Sequence, residues 1–135
     1  MLNVGRRPSA HTMPRFCALR GATSVAADDP RFVTEAVREL LTELLATNGL
    51  MSDDVVSAIF SATSDVRSLY PAAVARELGW SDVPMLCVTE MDVQGAPPRC
   101  VRVLLHLSVR GERPLRPVYL RAARALRPDL VRPSD

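Results

Sequence analysis

The stretch Cys100-Val101-Arg102-Val103-Leu104-Leu105-His106-Leu107-Ser108-Val109 decides the fold class. Val101, Val103, Leu105, Leu107 and Val109 fall on one side of an extended chain, and Cys100, Arg102, Leu104, His106 and Ser108 fall on the other. A period of two predicts a strand with one face on a core. That face is purely aliphatic. The opposite face carries Arg102 among mostly uncharged residues, an unusual setting for a guanidinium unless something anionic meets it.

Working outward, Gln94 to Pro98 is a turn feeding this strand, with Gly95 and two prolines, and Pro84 to Thr89 reads as another strand. Arg110 to Pro114 is a loop. Val118 to Leu126 fits a strand and an Ala-rich helix equally, and Arg127-Pro128-Asp129 ends it. Upstream, Asp29 can cap a helix with Pro30 at its first position. Val33, Ala36, Val37, Leu40, Leu41, Leu44 and Leu45 then recur at the helical period as far as Asn48-Gly49. Val55 to Ser61 predicts a largely buried strand, Thr63 to Tyr70 is irregular, and Ala72 to Leu78 gives two helical turns closed by Gly79-Trp80. A short strand, Phe16 to Arg20, runs into Gly21. The sum is an α+β fold, a mixed β-sheet covered by one long amphipathic helix plus a short helix.

With 135 residues and 47% apolar composition, the chain suits one domain, 16–135, too small to enclose a cleft between two domains. A site must be shallow or shared between subunits. Residues 1–15 are rich in Arg, Pro, Ser and Gly, carry His11 and lack periodicity. They predict a disordered extension, or a start assigned at Met1 instead of Met13.

All 17 positive charges are arginine, which excludes a Schiff-base or phosphate-loop lysine. Much of that bias has the form of a genomic preference. The positives are interspersed with 15 acids and only 4% of residues are aromatic, so no basic stripe or stacking platform for nucleic acid stands out. Cys17, Cys87 and Cys100 have neither disulfide nor zinc spacing, and no metal or cofactor is expected. No window could span a bilayer and no signal peptide is evident, so the reading is cytoplasmic.

A nucleophile-base arrangement is not credible, because His106 stands alone on a strand and Cys87 has no cation nearby to lower its pKa. What remains is Arg20 before Gly21, Arg76 on the short helix, Arg102 within a strand and Arg127 before Pro128, accompanied by Glu90 and Tyr119.

The ordered segments Leu19-Arg20-Gly21-Ala22-Thr23, Ser61-Ala62-Thr63 with Asp65, Tyr70-Pro71-Ala72 with Arg76-Glu77-Leu78-Gly79-Trp80, Cys87 with Glu90-Met91-Asp92-Val93, Arg99 to Val103, Val118-Tyr119-Leu120 and Leu126 to Leu130 together closely resemble the small trimeric α+β chorismate mutases. The resemblance runs from about residue 16 to the C-terminus. It implies a homotrimeric pseudo-α/β-barrel with sites at subunit interfaces. It further implies an isomerase of the shikimate pathway that converts chorismate to prephenate by a Claisen rearrangement in aromatic amino-acid biosynthesis. Carried over residue by residue, it implies Arg102 beside the breaking ether bond, Arg20 and Tyr119 on a substrate carboxylate, and Glu90 on the ring hydroxyl. Tyr70, Ala72, Ala73, Arg76 and Cys87 would also line the site, with Leu126 and Arg127 from a mobile C-terminal segment. The sequence departs from the family at Ala73, where a lysine is common, and at Tyr70, where a phenylalanine is common. The segments before Gly79 and Pro114 are each one residue shorter. Two other readings fit carboxylate-binding arginines on such a fold: a trimeric imine deaminase of the RidA kind, and a non-catalytic carboxylate-binding subunit.

Overall fold

The computed structural model describes residues 13–131. The expected N-terminal extension lies outside the described residues up to residue 12. From Pro14 the chain is already in β1, Pro14–Ser24. After it come α1, Pro30–Asn48, then β2, Val55–Ala62, α2, Pro71–Glu77, and β3, Met85–Thr89. The chain ends with β4, Cys100–Arg110, β5, Val118–Tyr119, and two short 3-10 turns, Arg121–Ala125 and Pro128–Leu130.

The five strands form one mixed sheet in the order β3-β2-β4-β1-β5. β4 lies antiparallel to both neighbours, whereas β2–β3 and β1–β5 are parallel. The alternation of β4 is realised directly. Val101, Val103, Leu105, Leu107 and Val109 are buried, and Arg102, Leu104 and Ser108 are exposed.

Helix α1 forms where its stripe and caps agree. Asp29 accepts the Arg31 amide at 2.9 Å, and Gly49 closes the helix at φ 61°, where a side chain would be strained. Its apolar face, Val33 to Leu44, is fully buried on the sheet, and each such Val or Leu contributes roughly 1.5–3 kcal/mol. Leu45 sits at the edge of that face and is only partly buried. α2 packs beside α1 through Val74 and Ala75, with Trp80 buried below it.

Two expectations change. The first strand, expected over Phe16 to Arg20, spans Pro14–Ser24. Gly21 does not end it; β1 passes so close to α1 there that an added Cβ would lie 2.9 Å from Leu44 Cδ1 and 3.1 Å from Leu40 Cδ1. Val118 to Leu126 is neither one strand nor one helix. It is a two-residue strand followed by a 3-10 turn, because within this segment only Val118 and Tyr119 pair with β1. Tertiary contacts fix this break. Asn48, buried at the end of α1, donates to Leu44 O and Arg116 O at 2.9 and 3.0 Å and accepts the Arg116 amide at 2.7 Å.

Candidate active site

The second sheet face, opposite the helices, holds the site. Register places Ala22 and Ser61 on either side of Arg102, and Tyr119 beside Ala22. Four adjacent strands therefore present Tyr119, Arg20, Arg102 and Ser61 around one depression of about 300 Å³, lined also by Glu90, Arg127, Ile59 and Leu104.

Glu90 follows directly on β3. Its amide is fixed to Ala62 O at 2.8 Å, and its Oε2 accepts the Ser61 hydroxyl at 2.5 Å and faces Arg102 Nε at 3.4 Å. The Glu90 side chain is 24% exposed and the Arg102 side chain 45%, so Glu90 anchors Arg102 without burying it. This bond removes freedom from a long side chain before any ligand arrives.

Tyr119 and Arg127 are positioned by the chain that follows β5. The Leu120 amide donates to Ala22 O at 2.9 Å, and the Ala122 amide donates to Ser24 Oγ at 3.0 Å. Arg121, at φ 54°, reaches back to α1 and pairs with Glu35 at 3.8 Å and Glu39 at 3.4 Å. Arg127 forms a two-pronged pair with Asp129, Nε to Oδ1 at 3.1 Å and the terminal nitrogen to Oδ2 at 2.9 Å. That bond raises the Arg127 pKa and lowers the Asp129 carboxyl, which Arg20 lowers further. Asp129 thus supplies a carboxylate where Arg20 and Arg127 converge.

Five of the residues singled out from sequence, Arg20, Glu90, Arg102, Tyr119 and Arg127, meet in this depression. Tyr70 and Cys87 do not; they line a second cleft of about 530 Å³ at the ends of β2 and β3. The two clefts share no lining residue. On α2, Ala72 is buried, Ala73 partly buried and Arg76 exposed, and Leu126 is partly buried; none of them lines either cleft.

Ser61 and Asp129 carry no role in the sequence reading. Ser61 could have been placed by parity, since Ser57, Ile59 and Ser61 share the β2 face that pairs with the Arg102 face of β4. Asp129 sits two residues beyond Arg127, and nothing in the local sequence distinguishes it from a surface acid. His106 is occupied on the same sheet face, stacked on Phe16 at 5.8 Å and bonded through Nδ1 to Ser57 Oγ at 3.1 Å.

Residues 16–130 match the family chorismate mutase type I. The chain is 42% identical over 114 residues to the chorismate mutase AroH of Thermus thermophilus, covering 83% of this chain and 93% of that one. It is 39% identical over 116 residues to the chorismate mutase AroH of Bacillus subtilis, covering 83% and 90%. A solved chorismate mutase from Clostridium thermocellum superposes with a TM-score of 0.77 at 34% identity, over 81% of this chain and 98% of that one.

Proposed function

The chain belongs to the chorismate mutase type I family, and from that premise we propose how its own residues carry the reaction. Of the three readings open at the level of sequence, membership selects the isomerase: the protein is a chorismate mutase, converting chorismate to prephenate on the way to phenylalanine and tyrosine.

The Claisen rearrangement is unimolecular. The ether C–O bond breaks as a C–C bond forms, and no proton transfer or covalent adduct is required. Negative charge grows on the ether oxygen in the transition state, so a donor fixed beside that oxygen lowers the barrier more than it tightens substrate binding. Arg102 has this role. The observation that carries it is the Glu90–Arg102 pair on the open sheet face. With Nε turned to Glu90, the terminal nitrogens of Arg102 are available to the ether oxygen. With Oε2 of Glu90 committed to Ser61 and Arg102, Oε1 is left for the ring hydroxyl. Arg20, Tyr119 and Arg127 take a substrate carboxylate, with Arg127 exchanging Asp129 for it, and hold the compact reactive conformer.

The site is shared between subunits of a homotrimer, with Tyr70, Ala72, Ala73, Arg76 and Cys87 contributed by a neighbouring copy and Leu126 closing from the C-terminal segment. Two observations support this assembly. Seven of the named site residues of one chain lie in two separate clefts, Arg20, Glu90, Arg102, Tyr119 and Arg127 in one and Tyr70 and Cys87 in the other. The sheet face around Arg102 also exposes Phe16, Leu86, Val88 and Leu104, and exposed apolar surface of this kind marks association. The domain, expected from residue 16, already includes Pro14 and Arg15, which pair with β4. No helix among the described residues is long and apolar enough to cross a membrane.

Purified protein tests the function through the loss of chorismate absorbance, with the product identified by acid conversion to phenylpyruvate. Turnover at catalytic enzyme concentration is expected, and no turnover at micromolar enzyme rejects the assignment.

A further inference from the structure

The second cleft has a charge pattern that the sequence reading did not use. Its lining is Ala62, Thr63, Ser64, Val66, Arg67 and Ser68, continuing through Tyr70 to Thr89, and Arg67 is its one charged side chain, with no carboxylate among the lining residues. Among the described residues the Arg67 guanidinium takes part in no ion pair. An arginine of this kind in a hydroxyl-lined cleft of about 530 Å³ makes an anion-receptive wall.

The backbone beneath it is held. Asp28 accepts the Arg67 and Ser68 amides at 2.9 Å each, so the loop before α2 is bound to a carboxylate from a distant part of the chain. On the far side of the same loop, Asp65 accepts the Arg99 amide at 3.0 and 3.1 Å. The root of the Arg67 side chain is therefore fixed, and its guanidinium, attracted by the Asp28 charge but not paired with it within 4 Å, remains able to reach a ligand, an arrangement that lowers the ordering cost of capture. Ala73, on the adjoining helix, offers no charge of its own.

We propose that Arg67 is a binding and specificity-determining residue for the mutase reaction, capturing one carboxylate of the dianionic substrate from the Tyr70–Cys87 cleft while Arg20 and Arg127 of the other cleft hold the second carboxylate. The inference rests on the reading that both clefts contribute to one shared site. It adds a residue for which no role follows from the sequence reading, and it assigns that residue to capture instead of to the chemical step.

Steady-state kinetics on the full chain tests it, with Arg67→Gln, Arg67→Lys and a charge control, Arg38→Gln, on the exposed side of α1. Loss of a charge-assisted contact should raise KM roughly tenfold in Arg67→Gln and leave kcat within about twofold. It should also flatten the salt dependence of kcat/KM. Arg67→Lys should recover most of the affinity, and Arg38→Gln should behave as wild type. If Gln disturbs the loop, Arg67→Met keeps the aliphatic stem and gives the same readout. An unchanged KM and salt slope, or a kcat that falls as far as kcat/KM, overturns the role given to Arg67 while wild-type turnover leaves the mutase reading standing. A wild type without turnover overturns both.

Discussion

At the residue scale the proposed catalysis centres on Arg102. Its position was legible because a guanidinium interrupts an otherwise uncharged strand face. The Glu90 and Ser61 contacts that fix it were not, because they join β2, β4 and the end of β3 across distances that sequence spacing does not encode. Those contacts predict the behaviour of a substitution usually regarded as mild. Arg102→Lys keeps a positive charge but loses the planar fork, so it cannot face Glu90 and the ether oxygen together. We expect kcat to fall by roughly 10²–10³ or more in Arg102→Lys, close to the fall in Arg102→Ala, by comparison with removal of an oxyanion-hole donor. Stopped assays at saturating chorismate check this, and retention of most of the activity by Arg102→Lys would falsify the role. Glu90→Gln belongs to the same scale. It keeps the shape, weakens the hold on Arg102 and should lower kcat as well as raise KM, whereas a residue that only bound substrate would change KM alone.

At the scale of elements, sequence reading succeeded where one periodic signal ran long enough, as in α1 and β4. It failed where a tertiary contact decides. Gly21 has the local signature of a strand end, yet β1 continues through it because α1 lies against the strand there. Gly21→Ala should therefore destabilise the fold by about 1–3 kcal/mol, since Leu40 and Leu44 must move away from the new methyl group. The Val118 carbonyl, 3.0 Å from the same Cβ, is backbone and yields less easily, so the shift passes into β5 and Tyr119. Urea unfolding should show the loss of stability, and a raised KM should accompany it. The Asp28 contact is likewise an element-scale feature. Hydrogen bonds from the Arg67 backbone and Ser68 hold its carboxyl below the usual carboxylate range. A carboxyl depressed on folding stabilises the folded state above its unfolded pKa, and that contribution disappears as pH falls through the folded pKa. The loop over residues 63–70 should thus stay latched throughout the neutral range and loosen only in acid. Hydrogen exchange should find the Arg67 and Ser68 amides protected at neutral pH in the wild type and exposed in Asp28→Ala.

For the whole molecule, the sequence pointed to a shared site because so short a chain has little room for a deep cleft of its own. The fold gives that argument a physical form: two clefts with no residue in common, and an apolar sheet face with Phe16 72% exposed and Leu86 63% exposed. If the copies form a closed ring with each site built from two of them, damage to one cleft can be rescued by damage to the other. Arg102→Ala removes the donor proposed for the first cleft, and Arg76→Ala, on α2 beside the second cleft and not in its lining, removes the substrate contact proposed for the neighbouring copy. Each variant alone should be nearly inactive. Unfolded, mixed in equal amounts and refolded together, they should regain about a quarter of wild-type activity, since a random ring joins two undamaged halves at one interface in four. Sites confined to single chains would regain nothing, because every chain in the mixture carries a lesion. The same rescue should vanish when Leu86→Glu is added to both variants, as a charge on the exposed sheet face blocks association, and sedimentation should then find smaller species.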